Sequence, residues 1–167
     1  DLGLIEGSCR HPDLIVEPWV ADELVVFCAP GHPLAEQGRA SLATLAEQAW
    51  IVREPGSGTR ETLDQALRHQ HFALQIRLEL EHTEAIKRAV EFGLGIGCIS
   101  RLALREAFRR GSLVAIETPE LDLRRHFHFL WHGRKFQTAG MREFVALCRT
   151  MTTGIERSDQ IQWSLIP

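Results

Sequence analysis

The sequence predicts an α/β fold with largely parallel sheets. Apolar runs of strand length alternate with amphipathic segments over most of the 167 residues. The run IGCIS at 96–100 is typical of a buried strand, whereas the preceding segment at 83–93 places Ile86, Ala89 and Val90 at helical spacing. Because most successive strands are separated by a predicted helix, neighbouring strands are expected to run in parallel.

Each element is predicted from its own local pattern. Strands are predicted where apolar residues cluster or alternate between turn formers, at 1–7, 14–20, 24–28, 50–52, 74–80, 96–100, 113–118 and 126–132. Helices are predicted where apolar residues recur at helical spacing, after Ser41, from Ser57, and at 83–93, 101–110 and 141–151. Pro18 interrupts the second strand. The tail at 151–167 shows no period and is expected to be loose.

Two connections are predicted to carry the chain between two lobes. They lie near 29–34 and 119–126, are polar or contain proline, and each sits beside a long strand. The first lobe is predicted to comprise residues 1–30 and, after the chain returns, residues 125–150. The second, α/β lobe is predicted at 31–124, and a C-terminal tail at 151–167.

Composition sets limits on the function. Apolar residues make up 44% and charged residues 25%, as in ordinary globular proteins. The net charge of −3 and the isoelectric point near 6.3 argue against a bulk polyanion-binding surface in this chain. The longest apolar runs have strand length, so no membrane span is predicted. Cys28, Cys98 and Cys148 lie in apolar runs and, with Cys9, are interpreted as free thiols of a reduced cytosolic protein.

The stretch REPGSGTRET leads from a run of turn formers directly into a helix. A helix N-terminus leaves backbone N–H groups unpaired and carries partial positive charge. Gly56 and Gly58 allow the backbone to approach a ligand closely. Ser57 and Thr59 offer hydroxyl groups, and Arg60 adds positive charge. On these residues alone an ordinary capped helix after a turn is favoured, and an anion-binding elbow is the alternative.

A second helix start and a loop are expected to face the same crevice. Thr83 can cap the helix that follows the strand ending at Leu80. Ligands in open α/β sheets bind at the carboxyl ends of the strands, which is where both helices would begin. The loop Glu6-Gly7-Ser8 follows a strand of the other lobe and is expected to form the facing wall.

Catalytic and metal-binding interpretations have less support. Neither H-E-x-x-H nor G-x-S-x-G occurs, so no catalytic residue, cofactor or enzyme activity is predicted. His126, His128 and His132 suggest a metal site by composition, but a polar strand face is the favoured interpretation, and no metal site is predicted. For the basic helix at 101–110, a solvated surface is favoured over a nucleic-acid contact because Glu106 lies within it.

Five motifs in order resemble one known family. They are DLGLIEG, LVVFCAPGHPLA, WIVREPGSGTRETLDQAL, EHTEAIKRAVEFGLGIGCISRLAL and LRRHFHFLWHGRKFQTAGMREFVALCR. Their order and spacing resemble the effector-binding domain of LysR-type transcription regulators over about residues 1–150. The resemblance implies a two-lobed fold like that of type II periplasmic binding proteins, with mostly parallel sheets. It also implies that the first lobe is partly missing, because the family's first strand and helix have no counterpart here.

The resemblance further implies a site, partners and a function. The positions that match ligand-facing residues of the family are Glu6, Gly7, Ser8, Gly56, Ser57, Gly58, Thr59 and Thr83. The expected function is to bind a small, anionic effector in the interlobe cleft and so control transcription. The implied protein is a cytoplasmic homodimer or homotetramer that binds DNA through a winged helix-turn-helix domain absent from this chain. A solute-binding protein of a transport system is the alternative.

Overall fold

The computed structural model describes residues 1–7, 9, 11–68, 70 and 73–161. Strands and helices alternate over most of these residues, which confirms the predicted α/β class. The strands are β1 (Leu2–Glu6), β2 (Leu14–Cys28), β3 (Ala49–Arg53), β4 (Gln75–Leu80), β5 (Ile96–Ser100), β6 (Val114–Ile116) and β7 (Arg124–His132). The helices are α1 (Pro33–Gln37), α2 (Leu42–Ala46), α3 (Gly58–Leu67), α4 (Thr83–Glu91), α5 (Arg101–Arg110) and α6 (Ala139–Met151). None of these helices has the length and apolar character that a bilayer crossing requires.

The strands form a mixed sheet in the order β1-β7-β2-β5-β3-β4, and β6 also pairs with β2. β3 pairs in parallel with β4 and with β5, as predicted, and α3 and α4 provide the crossovers between these strands. The remaining pairings in the described ranges, which involve β1, β2, β5, β6 and β7, are antiparallel. Fewer strand pairs are therefore parallel than predicted. The reason is that antiparallel strands can pair without a helical crossover between them.

β2 is one strand of 15 residues, where the sequence predicts two. Its register against β7 shifts between Pro18 and Val20, so the proline lies at an irregularity where its missing N–H group breaks no regular ladder. Residues 14–23 pair with β7, whereas residues 24–27 pair with β5 and residues 26–28 with β6. β2 therefore passes from one half of the sheet to the other without leaving the extended conformation.

The core lies on both faces of the half that contains β3 and β5. Trp50 and Ile51 are adjacent in β3 and fully buried, and their side chains point to opposite faces. Trp50 packs in a cluster with residues of α1, α2 and α3, whereas Ile51 packs with residues of α4 and α5. This three-layer arrangement fixes the starts of α3 and α4 at the edge of a rigid sheet.

The described part of the tail packs against the protein, so the prediction of a loose tail is wrong up to residue 161. Ser158 is fully buried, and its Oγ donates a hydrogen bond to Asp22 Oδ1 at 2.6 Å. Arg105 Nη1 donates to the carbonyl oxygens of Asp159 and Ile161 at 3.3 and 2.5 Å. Polar contacts to distant residues hold this segment, and they leave no hydrophobic period in the sequence.

The four cysteines are free, and Cys28, Cys98 and Cys148 are buried as predicted. Burial raises the pKa of Cys28 to about 11 and that of Cys98 to about 12, and it raises the pKa of Cys148 as well. Because the thiolate is the reactive form, a thiol reagent at pH 8 is expected to modify only Cys9 in the native chain. Mass spectrometry of labelled peptides would measure this, with the denatured chain as the control. Rapid labelling of Cys98 in the native chain would contradict the burial.

Candidate functional site

Two helix starts meet at one edge of the sheet, as the sequence predicts. β3 and β4 pair in parallel with Arg53 opposite Leu80, so both strands end at the same level. From these ends the chain enters α3 at Gly58 and α4 at Thr83. The edge therefore carries two helix N-termini, each with partial positive charge.

The elbow before α3 is a tight turn with unpaired amide groups. The Ser57 amide donates to the Glu54 carbonyl oxygen at 3.2 Å, and Gly56 has a φ of 89°, which favours glycine. Ser57 is the N-cap residue, but its hydroxyl makes no capping hydrogen bond. The three amide groups at the start of α3, those of residues 58–60, donate no hydrogen bond to any other described residue. They are the donors that an anion at a helix N-terminus uses.

The end of β1 packs directly against this elbow. A Cβ atom added to Gly58 would lie only 2.1 Å from the Glu6 carbonyl oxygen, so glycine is required by the close approach. Thr59 Oγ1 donates to Glu6 Oε2 at 3.1 Å. The structure thus brings together four of the predicted positions, Glu6, Gly7, Gly58 and Thr59, from distant parts of the chain. The predicted contact Ser8 lies outside the described residues.

Thr83 is the first residue of α4 and not its cap. The N-cap residue is His82, whose side chain makes no capping hydrogen bond. Thr83 is half-buried, and its hydroxyl has no hydrogen-bond partner among the described residues. The prediction that Thr83 caps α4 is wrong. Its role as a ligand contact stays a prediction.

Arg125 is the cation next to the elbow, and it was not predicted from the sequence. Its side chain is only 3% exposed, and its Nε donates to Asp22 Oδ2 at 2.7 Å. Its Nη1 donates to Glu6 Oε2 at 2.9 Å and to Thr59 Oγ1 at 3.1 Å. Its Nη2 is buried and has no partner within the described ranges. Since a buried, unpaired donor is costly, this nitrogen marks a place where an acceptor is needed.

A signal for Arg125 was present in the strand pattern. In β7 the aromatic residues Phe127, Phe129 and Trp131 recur at every second position, which predicts one common face. Extending the alternation back by two residues places Arg125 on this same face. A charged residue on a face that is otherwise apolar indicates a buried ion pair or a ligand contact.

Arg60, the cation that the sequence analysis favoured, is already paired. Its Nε donates to Asp64 Oδ1 at 2.9 Å, and its Nη1 donates to Glu79 Oε1 and the Arg53 carbonyl oxygen, each at 3.0 Å. The helical spacing of Arg60 and Asp64 favours this pair. Arg60 thus anchors α3 to β4, and the positive charge that was predicted to serve the elbow is paired with two carboxylates.

A cavity of about 600 Å³ lies beside the cluster, between α3 and β7. Gly7, Thr62, Gln65, Arg125, His126 and His128 are among its lining residues. Burial, together with the neighbouring His126, lowers the pKa of His128, and His128 Nδ1 has no partner among the described residues. No group of three metal-ligating side chains occurs in the described part of the chain. Because most of its lining side chains are polar, the cavity is a polar space that extends from the end of β1 to the surface of α3.

A family profile decides the identity of this arrangement. The profile of the LysR substrate binding domain matches residues 1–153. The chain belongs to this family.

Relatives of this LysR substrate binding domain are named as transcription regulators. The HTH-type transcriptional regulator YeiE of Escherichia coli K12 is 42% identical over 148 residues, which cover 89% of this chain and 50% of YeiE. The RuBisCO operon transcriptional regulator of Allochromatium vinosum is 30% identical over 148 residues, which cover 87% of this chain and 49% of that regulator. The chain thus spans about half the length of the curated relatives it matches.

Solved structures show the same fold. The CcmR regulatory domain of Synechocystis PCC6803, solved in complex with 2-PG, has a TM-score of 0.84 and 28% identity, and the match covers 93% of this chain and 74% of that domain. The MetR regulatory domain of N. meningitidis has a TM-score of 0.76 and 19% identity, with 93% of this chain and 72% of that domain covered. The predicted fold, like that of type II periplasmic binding proteins, is thereby confirmed.

Proposed function

We propose that this LysR substrate binding domain senses a small anionic effector between two lobes and that occupancy of the site controls transcription. The observation that carries the proposal is the set of unpaired donors at the elbow: the amide groups at the start of α3 and the Nη2 of Arg125. In the proposed division, 1–30 and 125–150 form the first lobe and 31–124 the second. β2 lies within the first-lobe range, but its C-terminal part pairs with β5 of the second lobe, and Glu23 of β2 lies opposite Arg124 at the start of β7.

An anion is the ligand that these donors favour. Amide groups at a helix N-terminus bind carboxylates, sulfate and phosphate groups, because the donors converge and the helix dipole favours negative charge. A guanidinium group adds charge-assisted hydrogen bonds to the same oxyanions. The CcmR regulatory domain, solved with 2-PG, supports a small ligand in this fold.

A regulator is favoured over a transport protein and an enzyme. The relatives are named as transcription regulators, and the described residues of the site offer donors without a nucleophile and base arranged for catalysis. Because those relatives are about twice as long as the matched region, we propose that a winged helix-turn-helix domain outside this chain reads DNA. We further propose a cytoplasmic homodimer or homotetramer, in which effector binding shifts the angle between the lobes and hence the spacing of the DNA-binding domains.

Replacing Thr59 or Thr83 with valine is expected to weaken binding of whichever anion is found. Each change keeps the side-chain volume and removes one hydroxyl group at the edge where the helices start. A hydrogen bond to a charged ligand contributes about 1.5–3 kcal/mol, so the Thr83 variant should bind roughly tenfold to a hundredfold more weakly. The Thr59 variant should lose less, because its hydroxyl already donates to Glu6 and only exchanges that acceptor for the ligand. A thermal-shift panel of sulfate, sulfite, phosphate, sugar phosphates and short carboxylates would identify the ligand, and calorimetry would measure its affinity.

Thr150→Val is the matched control for these variants. Thr150 is exposed on α6, and its hydroxyl bonds only to the Ala146 carbonyl oxygen. This variant should bind the anion with unchanged affinity. Unchanged affinity in the Thr59 and Thr83 variants as well would show that the site lies elsewhere.

A further inference from the structure

The Glu6 carboxylate lies against Thr59 of the elbow and against Arg125 beside it. Its Oε2 accepts hydrogen bonds from Thr59 Oγ1 at 3.1 Å and from Arg125 Nη1 at 2.9 Å. We infer that Glu6 is a built-in competitor, an internal anion that a small oxyanion must displace in order to bind. This inference rests on the proposed function, because it assigns the competitor to the same effector site.

The charges of the cluster show that Glu6 is not needed to neutralise Arg125. Asp22 is fully buried, and its Oδ2 accepts from Arg125 Nε at 2.7 Å, so the guanidinium already has a permanent counterion. Glu6 brings a second carboxylate to the same guanidinium. With all three groups ionised, the cluster carries surplus negative charge beside a helix N-terminus whose amide donors are unpaired.

The exposure of the two carboxylates separates their roles. The Asp22 side chain is 0% exposed, whereas that of Glu6 is 44% exposed. A carboxylate that water reaches can leave its partners at little cost, because partly exposed ion pairs contribute little to stability. Asp22 is therefore the structural partner of Arg125, and Glu6 is the exchangeable one.

Displacing Glu6 would also release a contact between distant parts of the fold. Glu6 ends β1, whereas Thr59 lies in the first turn of α3, so their hydrogen bond ties the two lobes of the proposed division together. A free oxyanion in place of the Glu6 carboxylate keeps the donors satisfied and removes this tie. The ligand class that fits is a small oxyanion with at least two acceptor oxygens, one for Thr59 and Arg125 Nη1 and one for the unpaired Nη2 of Arg125.

Sulfate titration of the Glu6→Gln variant tests the inference. Calorimetry at constant ionic strength, with chloride as the balancing anion, would compare the affinity of the unchanged chain for sulfate with that of the variant. Because the competing charge is removed, Glu6→Gln is expected to bind sulfate about fivefold or more tightly than the unchanged chain. Glu6→Ala, which also removes the side-chain acceptor, is expected to bind at least as tightly as Glu6→Gln. Phosphate titrations should give the same order.

Glu54→Gln is the matched control. Glu54 also lies next to the elbow, and its carboxylate pairs with Arg53 at 2.8 Å and contacts neither Thr59 nor Arg125. Removing its charge should change sulfate affinity by less than about twofold, since it does not occupy the donors. An equal gain in both variants would show a general charge effect and overturn the competitor role of Glu6.

The remaining outcomes separate the inference from the proposed function. If the unchanged chain binds sulfate and Glu6→Gln binds it equally or more weakly, the competitor role is overturned and the anion site stands. If neither the unchanged chain nor the Glu6 variants bind sulfate or phosphate, while thermal unfolding shows each to be folded, the anion site itself is wrong and the inference fails with it.

Discussion

Replacing Asp22 with asparagine is expected to lower the free energy of unfolding by about 3 kcal/mol or more, because breaking a buried ion pair leaves an uncompensated charge. The Asp22 carboxylate is fully buried and accepts from Arg125 Nε. It also accepts from Ser100 Oγ at 2.7 Å and from Ser158 Oγ at 2.6 Å. An asparagine amide would place a donor against one of these donors and leave Arg125 without its buried counterion.

Urea denaturation followed by circular dichroism would measure this loss. Asp122→Asn is the matched control, because Asp122 also pairs with an arginine, Arg124, but both side chains are mostly exposed. Exposed ion pairs contribute little, so the control should change the free energy of unfolding by about 0.5 kcal/mol or less. Equal, small effects in both variants would mean that the buried cluster does not stabilise the fold.

Replacing Gly58 with alanine is expected to destabilise the protein by about 3 kcal/mol, the upper end of the usual cost of overpacking. The added Cβ would lie 2.1 Å from the carbonyl oxygen and 3.0 Å from the carbonyl carbon of Glu6. Both are backbone atoms, so no side-chain rotation can relieve the contact. The end of β1 must instead move away from α3, which also stretches the hydrogen bond between Thr59 and Glu6.

Gly31→Ala is the control for this substitution. A Cβ atom at Gly31 meets no atom within 4 Å, and the residue has no positive φ. Because an alanine there restricts only the unfolded chain, the control should leave stability unchanged or raise it slightly. Thermal and urea unfolding of the two variants would settle the comparison. A Gly58→Ala variant as stable as the unchanged chain would show that β1 and α3 do not approach as closely as described.

Asp22 and Glu6, whose substitutions are predicted to have different effects, both belong to the cluster around Arg125. Asp22 and Arg125 are buried and hold β2 against β7, so their loss should appear mainly as lost stability. Glu6 is partly exposed, so its loss should appear mainly as changed anion affinity. The same guanidinium thus serves the fold through one nitrogen and the proposed site through the others.

Features that arise from local patterns could be predicted from the amino-acid sequence. Period and turn residues located most strands and helices, including β5 and α5, because a helix or strand shows its buried face at fixed intervals. The elbow was predicted for the same reason, since Gly56, Ser57 and Gly58 are contiguous and their chemistry is that of any helix start. Five motifs in order were enough to indicate the LysR family, which the match over residues 1–153 then showed.

Which charges are paired and how the tail is anchored depend on contacts between distant parts of the chain. Arg60 was predicted to supply positive charge at the elbow, but its charge is paired with Asp64 of α3 and with Glu79 of β4, and Glu79 meets it only when these elements pack together. Arg125 and Asp22 are 103 residues apart, and Ser158 and Asp22 are 136 apart, so no local pattern records these contacts. The physical reason is that a buried charge is defined by the partners that surround it, and those partners meet only when β2, β7 and the tail fold against one another.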